Sequence, residues 1–266
     1  MSINNTWINS YHSVMRLSQD PITGKLTGTY SSTTGGTGTY NVVGWASLLN
    51  PTESAGQPMA ISILWRSNDG GKSDPSHEVS GMAGQVILSN NVENLSLVHL
   101  FVETDPIASK LAPGFYPDKL IFAPYQTSVN TANDNRNELF ASIQSNDSIS
   151  GIWETNNGSE IVQIKLAQTN LSDNSVEGTI LYQDGSFYPL IGYADGFAVS
   201  GKLNLQGLTL SSFIDKNGTR TCISMSGYLD LEKNIITLTR LLAHATDSSS
   251  NYTQVLMEAL EFKKQD

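Results

Sequence analysis

Leu26-Thr27-Gly28-Thr29-Tyr30 and Val176-Glu177-Gly178-Thr179-Ile180 are two copies of one pattern, and the rest of the chain repeats around them. Trp7 answers to Trp153 and Ser80-Gly81 to Ser226-Gly227 at one common spacing. The turn segments Ser67-Asn68-Asp69-Gly70 and Asp215-Lys216-Asn217-Gly218 follow in the same order, and each copy closes on an apolar strand, Asp118–Phe122 or Glu258–Phe262. An ordered series of matches marks a duplicated unit. Within each copy the apolar residues alternate, as along Ile161–Leu166, where Ile161 blurs the pattern. Asn-Asp-Gly-Gly (68–71) and Lys-Asn-Gly (216–218) supply the positive-φ residues of tight hairpins. Many strands, hairpin turns and few helical stretches indicate an all-β protein of two tandem eight-stranded antiparallel up-and-down β-barrels. The expected division is a barrel over residues 1–123, a linker over 124–148 and a second barrel over 149–266. Within the linker, Asn137–Ile143 is apolar enough to dock against a barrel.

Composition narrows the function. Of 266 residues only 15% are charged, and the net charge is −10. An acidic chain repels phosphate backbones and anionic lipid, which excludes nucleic acid as a partner class. No window approaches the ~18 apolar residues of a membrane span. The single cysteine, Cys222, allows no intramolecular disulfide, so the barrels rely on core packing. The start Met-Ser-Ile-Asn-Asn-Thr-Trp has neither a basic nor an apolar leader segment, which points to a cytoplasmic or leaderless-secreted protein. There is no HExxH, no cysteine cluster, no Gly-x-Ser-x-Gly elbow, and no Lys-Ser/Thr after Gly35-Gly36-Thr37-Gly38. Catalytic residues, metal ligands and a cofactor are therefore not expected.

Asn5–Met15, with Thr6-Trp7-Ile8-Asn9 and Ser13, and then Leu26–Ser32 resemble the first strands of the avidin and streptavidin family. Tyr40–Gly44, Ile61–Arg66, Ser80-Gly81 and Gly114–Phe122 are similar to later strands, with decreasing specificity. The resemblance implies biotin binding inside a barrel, without catalysis. Carried over by position, it implies that Asn9, Ser13 and Tyr30 cradle a ureido carbonyl and that Asp118 accepts from a ureido N–H. Ser32 and Gly35 would belong to the closing loop, and Trp65 would be an aromatic wall. His77 and His99 complete the expected ligand-binding set. Taken alone, Tyr30 reads equally as pocket or core, and its company with Asn9 and Ser13 favours the pocket; Asp118 is an ordinary solvated turn residue that the motif lifts to a ligand role, and Trp65 follows an apolar run and precedes a turn, as a pocket wall does.

The departures weaken the site. Val79 stands before Ser80-Gly81 where the family has a tryptophan, the next tryptophan falls on or beside His99, and Ile107–Phe115 offers none. Each lost aromatic wall removes about 150–250 Å² of contact, so reduced affinity is expected. In the second copy Trp153 and Ser159 survive. The asparagine position falls on Thr155, the tyrosine on Ile180, the tryptophan near Phe213 and the aspartate on Glu258, which leaves a structural or retuned barrel. Two readings stand: a non-enzymatic carrier of biotin or a biotin-like small molecule, or a defence, toxin or lectin-like scaffold that binds a glycan or protein partner. Chain-to-chain association through barrel faces is compatible with both.

Overall fold

The computed structural model describes residues 3–32, 38–66, 77–105, 113–125, 148–155, 160–170, 174–196, 203–247 and 255–265. Gly35, the turn at Ser67–Gly71, the Asn137–Ile143 stretch and Ser159 lie outside these residues. The first barrel is built from β1 (Thr6–Asn9), β2 (Val14–Gln19), β3 (Lys25–Ser32), β4 (Gly38–Ala46), β5 (Gln57–Leu64), β6 (Glu78–Ser89), β7 (Val92–Glu103) and β8 (Gly114–Pro124). The second is built from β9 (Gly151–Glu154), β10 (Ile161–Asn170), β11 (Ser175–Tyr182), β12 (Phe187–Ala194), β13 (Leu205–Lys216), β14 (Thr219–Asp230), β15 (Ile235–Ala243) and β16 (Val255–Lys264). In each, neighbours in sequence pair antiparallel, and the last strand returns to the first to close the cylinder. Closure removes exposed strand edges, which suits a chain held without disulfides.

Local chemistry fixes the turns. Asn90 and Asn91, with φ of 51° and 62°, join β6 to β7 in two residues; Asn217 and Gly218, with φ of 54° and 76°, do the same for β13 and β14. Positive φ at both central residues matches the twist of the flanking strands. The blurred alternation at Ile161 has a geometric cause: pairing with β11 slips between Ile161 and Gln163, so Ile161 joins Ile164 and Leu166 in the core.

The cores are duplicates. Trp7 and Trp153 are fully buried, and their indole N–H groups donate to the carbonyls of Ile3 and Ile149. Three inward glycines recur at equivalent places: Gly28 with Gly178, Gly44 with Gly192, and Gly84 with Gly227. A Cβ at Gly84 or Gly227 would stand 2.0 or 1.9 Å from a carbonyl oxygen of the next strand, so only glycine lets these strands close. The registers correct one anchor of the repeat. Met82 pairs with Ile61 and His99, and Met225 with Leu210 and Arg240, so Ser80 corresponds to Ile223 and Gly227 to Gly84.

Strands β4–β7 pack face to face against β12–β15. Ala60, Leu64, Val79, Ala83, Leu100 and Val102 meet Tyr193, Cys222, Leu241 and Ala243 in a third apolar cluster between the barrels. The pairing is pseudo-twofold. Ser62 and Ser211 hold equivalent places, and their hydroxyls meet at 2.8 Å. Gly81 and Ser224 are likewise equivalent, and a Cβ on Gly81 would lie 2.2 Å from the Ser224 hydroxyl. Contact of a position with its own counterpart is the mark of an isologous interface. Trp45 packs on Phe213 of the second barrel, with ring centroids 4.9 Å apart.

Candidate functional site

The alternation of β1 puts Trp7 and Asn9 on the inner wall, and β3 contributes Tyr30 beside them. The Asn9 side-chain oxygen accepts from the backbone N–H groups of Tyr11 and Ser13, both at 3.0 Å. Those two bonds fix the amide, so its NH₂ is aimed at the Tyr30 hydroxyl, 3.4 Å away. Ser13 also hydrogen-bonds that hydroxyl, and burial pushes the Tyr30 phenol above its ordinary pKa. Asn9, Ser13 and Tyr30 are all buried and form one polar floor.

Above it stands an aromatic wall. Trp65, just beyond β5, is edge-on to Tyr30 at 5.6 Å and to Tyr40 at 4.7 Å. His99 and Phe101 of β7 lie 6.5 and 6.2 Å from Trp65, and Tyr116 of β8 lies 6.3 Å from Phe101. The Trp65 N–H donates to the Ser80 hydroxyl at 2.7 Å, and Ser80 in turn lies 2.8 Å from His99 Nε2. Desolvation holds His99 down to a pKa of about 4, against a small opposing pull from Asp118, so its ring is neutral at pH 7.

Asp118 shares the inward face with Leu120 and Phe122, but it is exposed at the rim. It pairs in register with His99, and one carboxylate oxygen accepts from the Lys119 N–H at 2.7 Å. It therefore stands at the exposed mouth, on the same inner face. Ser32, buried at the end of β3, flanks the same opening. His77 stands apart from this group. It lies just before β6, and its ring meets Asp195 of the second barrel, which also binds Arg66 at 3.1 Å. Val79 likewise packs toward the second barrel and adds no wall to the floor of Asn9, Ser13 and Tyr30. Reading the chain alone missed Tyr40, Ser80 and Tyr116 as neighbours of the site. Counting in twos back from Asp118 reaches Tyr116, but nothing local signals Ser80.

The second barrel carries different groups at the same places. Ile180 replaces Tyr30, Ile223 replaces Ser80 and Ile214 replaces Trp65. Arg240, 3% exposed, replaces His99, and Glu258 replaces Asp118. The guanidinium binds Glu258 and, at 3.0 Å, Glu160, with the Tyr182 hydroxyl beside it. An ion-pair cluster occupies the space that is a polar floor and aromatic wall in the first barrel.

Residues 1–107 match the avidin family. That span takes in the floor and the wall as far as Phe101 and stops short of Asp118. The second barrel, outside that span, repeats the eight strands and inward glycines of the first. A solved structure of the biotin binding protein from chicken is similar at 15% identity, with a TM-score of 0.37, over 47% of this chain and 96% of that one. No curated protein matches the chain.

Proposed function

We propose that the first barrel is a non-catalytic carrier of a small ligand, biotin or a biotin-like cyclic urea, held with weakened affinity. The observation that carries this reading is the buried floor of Asn9, Ser13 and Tyr30. Three hydrogen-bonding side chains, from β1, the turn that follows it and β3, converge there beside Trp65. A carbonyl oxygen lowered onto it would find donors already oriented. A ligand without that oxygen would leave buried donors unpaired, at about 1–3 kcal/mol. Asp118 at the rim would accept a ligand N–H. The match of residues 1–107 to the avidin family supports the same reading. Weakened affinity follows from His99 in place of a large aromatic wall and from Val79 turned toward the neighbouring barrel. The ion-paired second barrel is assigned a supporting role, so one ligand per chain is expected. Calorimetric titration with biotin tests this. Binding at one site per chain, weakened about fivefold to a hundredfold by Tyr30→Phe, is the expected result. Neither heat nor thermal shift at millimolar biotin would overturn it.

A further inference from the structure

Hydrogen-bond accounting at Ser80 decides which nitrogen of His99 carries the proton. The Trp65 indole can only donate, so the Ser80 oxygen accepts from it at 2.7 Å. The Ser80 hydroxyl then has one proton to give. The acceptor within reach among the described residues is His99 Nε2, at 2.8 Å. A buried hydroxyl does not forgo such a bond. Nε2 is therefore the bare nitrogen, and the proton of the neutral ring sits on Nδ1. Among the described residues Nδ1 has no hydrogen-bond partner, and the same holds for the second carboxylate oxygen of Asp118. The two residues are direct cross-strand partners on the inner face, a placement that brings Cβ atoms to about 4.5–5.5 Å. A fixed donor and an acceptor thus stand side by side at the mouth.

We propose that His99 is a specificity-determining residue: its Nδ1–H and the Asp118 carboxylate together read a ligand edge on which an acceptor oxygen adjoins an N–H. The ligand class is a cyclic urea or lactam with a second carbonyl, as in an imide or hydantoin ring. This rests on the small-ligand reading of the first barrel and narrows it. A plain cyclic urea gives its one carbonyl to the floor and its N–H to Asp118, and leaves the His99 donor unanswered. An added carbonyl answers it. The Trp65–Ser80–His99 chain is what holds the donor in place, so Ser80 is a positioning residue.

Two measurements on the full chain test this. Nitrogen-15 NMR of the histidine rings, with His99 assigned by its loss in His99→Phe, is expected to show a protonated Nδ1 and a bare Nε2. Ser80→Ala is expected to shift that tautomer balance. Binding of hydantoin and of 2-imidazolidinone is then compared. Hydantoin is expected to bind roughly tenfold more tightly, and the preference should disappear in His99→Phe and shrink in Ser80→Ala. A proton on Nε2, or equal binding of the two rings, overturns the proposal and leaves the carrier reading intact. If neither ring nor biotin binds, the carrier reading falls and takes the ligand half with it, while the tautomer result still stands by itself.

Discussion

The two barrels share a frame and differ at the mouth. Both bury one tryptophan against a carbonyl four residues earlier, and both use inward glycines at the same three places. From floor to rim, Tyr30, Trp65, His99 and Asp118 have Ile180, Ile214, Arg240 and Glu258 as their counterparts. Packing and backbone closure tolerate both sets. The difference teaches that the cylinder is held by its glycines, tryptophans and aliphatic layers, and that the groups at its mouth vary independently of it. Ligand chemistry is written on the frame and does not hold it up.

The largest expected effect tests the shared frame. Trp7→Ala and Trp153→Ala should each cost about 3–5 kcal/mol in denaturant unfolding, as full-size core truncations do. A large inequality would break the equivalence of the cores. Next in size is a pH effect confined to the first mouth. The folded-state pKa of His99 is depressed to about 4 from an unfolded value of 6.5. The unfolded chain therefore binds the extra proton between those values, and stability is present above pH 6.5 and lost as pH falls toward 4. The loss should reach no more than about 3 kcal/mol, since one pKa unit is worth about 1.4 kcal/mol. Equilibrium unfolding of His99→Phe, compared with the parent chain at pH 7 and pH 4, should show the loss shrunk by that amount. The smallest effect probes the seam. Gly81→Ala brings a methyl group against the hydroxyls of Ser224 and Ser226 and should cost about 1–3 kcal/mol through overpacking. Ser224→Gly in the same chain should recover part of it.

Much of the frame was legible in the chain. Period-two alternation and the Lys216-Asn217-Gly218 turn give the strands and one hairpin directly, because both depend on residues adjacent in sequence. The polar floor was legible because Asn9, Ser13 and Tyr30 fall within a short, specific stretch. The Trp65–Ser80–His99 chain was not, because it depends on how β5, β6 and β7 are aligned across hairpins, and pairing registers are set by the whole cylinder. The seam was also hidden. Ser62, Ser211, Ser224 and Ser226 are buried, yet serines on a strand read as a solvent face. His77 turns toward Asp195 of the second barrel, a placement that its own strand neighbours do not signal. Whether an alternating position looks into the barrel or across to its neighbour is decided by the second barrel. The one hint was β5, Gln57–Leu64, nearly unbroken in apolar residues and buried on both faces.

Gly81 facing Ser224 has a consequence for how such a pair can drift. Two identical subunits on a twofold axis must present the same residue from each side. A glycine there would meet a glycine and leave a void; a serine would meet a serine and crowd. Joined in one polypeptide, the halves are released from that constraint, and a knob on one side can seat in a notch on the other. The same freedom lets Arg240 stand in one half and His99 at the matching place in its twin.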